Sequence, residues 1–133
     1  MGGHVRFTIP VRPEPKQRPQ HGRGYTYTPK ETREYEQLVG IYARMAIKGP
    51  LEGAISVKVD FYMPIPKSWT KGKKQLAELG KIRPASKPDL DNLEKALFDG
   101  MNGIVWIDDA QVVEVHKAEW YGDPRTVVEI SEV

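Results

Sequence analysis

The chain contains no cysteine. Disulfides, thiolate nucleophiles, iron–sulfur clusters and cysteine-type zinc sites are therefore excluded. Histidine is scarce: His4, His21 and His116 are all there is, too few and too scattered for a typical zinc site. No apolar run approaches the ~18 residues of a membrane helix, and no signal-peptide core follows Met1. The expected setting is the cytoplasm, with no membrane partner. Internal repeats and low-complexity tracts are also missing. What remains is 133 residues, 39% hydrophobic and 29% charged. That is enough for one core, and a single domain over residues 1–133 is expected.

The net charge of +2 conceals a polarity along the chain. Residues 1–48 carry nine basic and four acidic side chains, and residues 64–88 carry seven and one. Residues 89–133 reverse this, with three basic and eleven acidic. A basic front and an acidic back suggest a polyanion partner and, separately, a cation site. The plainer reading is that these charges solvate surface faces.

Hydrophobic periodicity places the elements. Residues 6–9 alternate as a short strand. Residues 10–29 hold Pro10, Pro13, Pro15, Pro19 and Pro29, so this stretch is a long basic loop and neither a helix nor a central strand. Thr28, Pro29 and Glu31 form a capping-box signature for a helix ending near Lys48. Residues 53–63 alternate as a strand. Residues 64–88 form a second basic stretch, with Ser68 as cap of a short helix over 69–79 that Gly80 ends. A further helix runs from about Asp89 or Asp91 to Asn102, with Gly103 just beyond it. Two strands, 111–121 and 125–130, flank Gly122-Asp123-Pro124 and read as a hairpin. Helices and strands mix without strict βαβ alternation. The fold class is α+β, a mixed β-sheet with two main helices packed on it.

The most informative segment is Lys87-Pro88-Asp89-Leu90-Asp91-Asn92-Leu93-Glu94-Lys95. Asp89 and Asp91 stand at a helix entry, where two carboxylates can converge on one point. Asp91 also reads as an ordinary cap with Glu94 as its box partner, and Asp91–Lys95 as plain i,i+4 support. A second acidic pair, Asp108-Asp109, follows an apolar stretch. Carboxylates gathered at two element ends repel unless a cation sits among them. Mg²⁺ takes one or two protein carboxylates and keeps water for the rest of its shell, so Asp89, Asp91 and Asp109 suffice. A nearby lysine then stabilises charge on a phosphate oxygen. Lys117, on the strand over 111–121, reaches the same site in one of its two strand phases.

These residues resemble the RusA family of Holliday-junction resolvases. The likeness is carried by Pro88-Asp89-Leu90-Asp91-Asn92-Leu93 with Lys95, by Phe98-Asp99, and by Trp106-Ile107-Asp108-Asp109-Ala110-Gln111-Val112. Pro15-Lys16-Gln17-Arg18-Pro19 and Tyr27-Thr28-Pro29 add to it. The resemblance implies metal binding by Asp89, Asp91 and Asp109, with Asp108 the weaker candidate, and a catalytic lysine at Lys95. It also implies a homodimer, dependence on Mg²⁺ with Mn²⁺ as substitute, and paired symmetric nicks in four-way junction DNA. The basic loops 10–29 and 64–88 would contact DNA through Lys16, Arg18, Arg23, Lys71, Lys73, Lys74 and Lys87. Some family members carry an arginine directly before the first aspartate; here Pro88 stands there, and that phosphate contact must come from Lys87 or from elsewhere. Trp69, Tyr25 and Tyr27 are candidates for stacking on unpaired bases, while Trp106 reads as core. The basic loops alone would support an alternative, a branched-DNA binding module without catalysis.

Overall fold

Period-2 burial builds the sheet. A computed structural model describes residues 3–133; Met1 and Gly2, which the expected single domain includes, lie outside the described residues. The element order is β1 (His4–Ile9), β2 (Gln20–Gly22), β3 (Tyr25–Tyr27), α1 (Lys30–Ala46), β4 (Ile55–Met63), α2 (Lys71–Glu78), α3 (Leu90–Met101), β5 (Val112–Tyr121) and β6 (Arg125–Glu132). A 3₁₀ turn at Asp109–Gln111 precedes β5. The main sheet has the order β1-β6-β4-β5. Its β1–β6 and β6–β4 pairs are antiparallel and its β4–β5 pair is parallel. The α+β mixed sheet read from the sequence is what forms, with α1 and α3 on its apolar face and the short α2 beside β5.

Val57, Val59 and Phe61 on β4, Phe7 and Ile9 on β1, and Val128 and Ile130 on β6 point into one core with α1 and α3. α1 contributes Tyr35, Val39 and Ala43; α3 contributes Leu93, Ala96, Leu97 and Met101. Two glycines let these helices cross closely. A Cβ on Gly100 would lie 2.8 Å from Val39 Cβ and 3.0 Å from the Glu36 carbonyl oxygen. Across the crossing, a Cβ on Gly40 would lie 3.1 Å from Ile104 Cδ1. Each glycine costs helix propensity, about 1 kcal/mol relative to alanine, and close packing offsets that cost. No helix among the described residues is long and apolar enough to cross a membrane.

Several local expectations change. β5 and β6 are joined through Gly122-Asp123-Pro124, but they are not a hairpin, because β4 lies between them and pairs with both. The connection crosses two strand spacings, roughly 10 Å, a distance three residues span; Gly122 N–H donates to the Met63 carbonyl on the way. The long loop 10–29 contains its own ribbon, β2–β3, turned at Gly24 with φ +71°. α1 starts after Pro29 with no side-chain cap, so the Thr28–Glu31 box is absent. Thr70 rather than Ser68 caps α2, and Gly80 ends that segment at φ +77°. Trp106 is buried as expected, packed edge-on against Phe98.

The glycine crossing yields a paired prediction. Gly100→Ala should destabilise by about 1–3 kcal/mol through overpacking. Gly72→Ala, in α2 with open space around it, should be neutral or stabilising by about 0.5 kcal/mol. Urea midpoints at unchanged m-value check both.

Candidate nuclease site

The segment Pro84 to Pro88 delivers the chain to the start of α3, and the Lys87–Pro88 peptide is cis. Asp89 is the N-cap and Asp91 lies in the first turn, but Asp89 makes no side-chain cap bond. The capping-box reading of Asp91 and Glu94 therefore does not describe this helix. The positive end of the helix dipole favours both aspartates. Asp91 points outward, its side chain 88% exposed.

β5 supplies the other wall. Lys117 pairs with Val59 and Glu119 with Phe61, and both β4 partners are fully buried. Paired residues on adjacent strands share a face, so Lys117 and Glu119 rise from the core-facing side toward α3. Lys117 Nζ donates to Asp91 Oδ1 at 2.5 Å and to Glu94 Oε2 at 2.9 Å. Burial alone would lower the Lys117 pKa, but the two carboxylates outweigh it and hold the pKa above the ordinary lysine value. In return, the Lys117 hydrogen bond and charge hold the Asp91 carboxyl below its usual range. Glu119 has the opposite environment. Its Oε2 is buried without a hydrogen-bond partner. Burial first, then the charge of Asp89, pushes its pKa up, against the pull of Arg83. Glu119 was not singled out in the sequence. The signal was there as two charged residues, two apart, at positions of β5 that share a face with buried β4 side chains.

Two clefts meet at Asp89. One, about 400 Å³, brings Lys87, Asp89 and Glu119 together. The other, about 530 Å³, runs along Arg12, Glu14, Lys16, Lys87, Asp89 and Asn92. Lys87 thus stands where the sequence put it, exposed and beside the first aspartate. Arg12, passed over as one more basic loop residue, shares the same cleft. Lys16 is otherwise engaged. Its Nζ lies 2.7 Å from Glu36 and 2.9 Å from Asp99, and its backbone N–H donates to the Asn92 carbonyl at 3.0 Å. It ties the basic loop to both main helices and is not free to meet a phosphate. Arg18 and Arg23 are exposed, Arg23 beside the ribbon turn between Tyr25 and Gly22. On α2, Lys71 is exposed, Lys74 is half-buried and Lys73 lies over the Trp69 ring, 4.0 Å from its centroid. Trp69 also packs against Tyr121, so its ring is already occupied, whereas Tyr25 and Tyr27 are exposed.

The second acidic pair lies elsewhere. Asp108 caps the 3₁₀ turn, accepting from Ala110 N–H at 2.9 Å, with Gln111 completing a capping box. Asp109 Oδ1 accepts from the Trp106 indole N–H at 2.9 Å. Trp106 packs on Phe98, seven residues beyond Asp91 and therefore roughly 10 Å along the helix axis. Among the described residues, no three His, Asp or Glu side chains come close enough to hold one ion together. The expected convergence of Asp109 with Asp89 and Asp91 is thus not seen within one chain. Lys95 is exposed and makes no ion pair with Asp91; the lysine at Asp91 is Lys117.

The Lys16 clamp is a fastening of the fold. Lys16→Met should cost about 1–2 kcal/mol of stability by leaving two partly buried carboxylates unpaired. Because its pKa is raised above 10.5, that contribution is intact below this value and fades only as pH rises through the folded pKa. Arg23→Ala, at an exposed position of the ribbon outside this clamp, should leave the urea midpoint unchanged.

Comparison with known proteins gives the family of the chain. The family model described as endodeoxyribonuclease RusA matches residues 10–131. The chain is 34% identical to "Uncharacterized protein YqaN" of Bacillus subtilis (strain 168), over 97% of this chain and 96% of that one. It is 28% identical to the crossover junction endodeoxyribonuclease RusA of Escherichia coli (strain K12), over 81% of this chain and 76% of the relative. A Shigella sonnei (strain Ss046) protein of the same name is 27% identical over the same shares. The chain belongs to the RusA family of endodeoxyribonucleases.

Proposed function

We propose that this protein resolves Holliday junctions as a homodimer, by Mg²⁺-dependent hydrolysis of two symmetric phosphodiester bonds. The observation that carries the reading is the meeting, at the start of α3, of oxygen-donor side chains with a cleft edged by Arg12 and Lys87. The donor set suits a hard divalent ion: Asp89 and Asp91 offer carboxylates at the start of α3, and Glu119 has an unpaired buried oxygen beside Asp89. An octahedral ion that keeps most of its water needs no more than two of these. When bound, Mg²⁺ or Mn²⁺ supplies the acidity that makes water a nucleophile near neutral pH, and positive charge against the reacting phosphate.

The chain's own residues then have separable jobs. Asp89 and Asp91 hold the ion. Lys95, exposed one turn along α3, stabilises charge developing on the phosphate. Lys87 and Arg12 hold the flanking backbone, and the ribbon carrying Arg18, Arg23, Tyr25 and Tyr27 reaches the branch, with Lys71, Lys73 and Lys74 as further phosphate contacts. Two-fold symmetry supplies one site for each of two equivalent strands. Asp109 stands apart from this pair within one chain and would join the ion as a third carboxylate only in the assembled, metal-loaded protein; Asp108 acts on it only by capping the turn that carries it.

Asp91→Asn should leave folding and junction binding intact and abolish cleavage. The check is a labelled four-way junction run with and without Mg²⁺. Symmetric nicks that need the metal support the reading; a shifted band that is never cut by the unaltered protein would favour a binding module. Asp109→Asn keeps an acceptor for Trp106, so the fold should hold while cleavage falls. Full cleavage by that variant would leave Asp109 only the task of anchoring Trp106. Lys95→Ala should lower turnover more than junction affinity.

A further inference from the structure

We infer that Lys117 is the resident cation of this site: it holds Asp91 and Glu94 in place while no metal is present, and divalent metal must enter against its charge. The inference rests on the reading of Asp91 as a metal ligand and adds a positioning residue to it.

The position of the lysine is the first reason. Its stem rises from the core-facing side of β5, opposite the fully buried Val59. An ammonium there loses much of its water, and its side chain is 25% exposed. Asp91 and Glu94 are the acidic partners that compensate this loss, at 2.5 and 2.9 Å.

Competition follows from chemistry. An ammonium donates to the same oxygen lone pairs that a hard cation takes up, and Mg²⁺ binds them at about 2.1 Å. Asp91 Oδ1 cannot serve both in full. Even where the ion approaches the other oxygen of Asp91, a unit positive charge a few ångströms away opposes a divalent cation strongly at protein-like dielectric values. Glu94 has a single role in this arrangement. It is largely buried, 22% exposed, and it keeps the ammonium at the site after Asp91 turns to the metal. The lysine then stands ready beside the phosphate without having been recruited from solvent. The same pairing neutralises acidic groups that would otherwise repel DNA before the metal arrives.

The test is Mn²⁺ binding to the full chain without DNA, read by the loss of the free-ion electron paramagnetic resonance signal. Lys117→Gln should bind Mn²⁺ roughly tenfold more tightly than the unaltered protein. Lys117→Arg, which keeps the charge, should stay within about twofold of it. A merely structural lysine would not give a gain in affinity that the charge-retaining variant lacks. Lys117→Gln affinity equal to or weaker than the unaltered protein, with Asp91→Asn binding lost, overturns the inference and leaves the metal reading standing. Asp91→Asn binding as tight as the unaltered protein overturns both. Circular dichroism of each variant confirms that the fold is present.

Discussion

The close crossing of α1 and α3 governs where the chemistry can sit. Gly40 and Gly100 remove the side chains that would hold the two helices apart. α3 can then lay Leu93, Ala96, Leu97 and Met101 onto the sheet while its first turn overhangs β5. A helix displaced by even a methyl group would lift Asp91 from Lys117, because packed interiors transmit such shifts rather than absorb them. The site is therefore an outcome of core packing as much as of the acidic motif.

Two lysines fasten this helix to its surroundings. Lys16 clamps Glu36 and Asp99, which fastens the loop after β1 to both helices. Lys117 clamps Asp91 and Glu94, which fastens β5 to the α3 entry. Both are partly buried, so their ion pairs are shielded from salt more than surface pairs are. The basic side chains on the ribbon and beside Asp89 are exposed, and those on α2 are exposed or half-buried. The charges thus divide into internal fastenings and an exposed basic surface.

Much of the architecture was legible because burial leaves a periodic trace. The alternation in Val57, Val59 and Phe61 marked β4, and Leu93, Leu97 and Met101 marked α3. The acidic motif marked the helix entry because Asp89-Leu90-Asp91-Asn92-Leu93 follows Pro88 and opens an apolar helical period. The supposed hairpin was misread because Gly122-Asp123-Pro124 reports a change of direction but not whether another strand lies between its arms. Lys16 looked like a DNA contact because composition shows a positive charge without showing its partners.

The sequence by itself determined the helix and strand periods, the apolar faces, and the presence of carboxylates at one helix start and one turn, since these follow from local spacing and side-chain chemistry. Only the tertiary structure decided that β4 parts β5 from β6, that Glu119 lies beside Asp89, and that Lys117 rather than Lys95 meets Asp91. Those are contacts between segments far apart along the chain. They depend on strand order and on which face of β5 meets α3, and neither is written in the spacing of neighbouring residues.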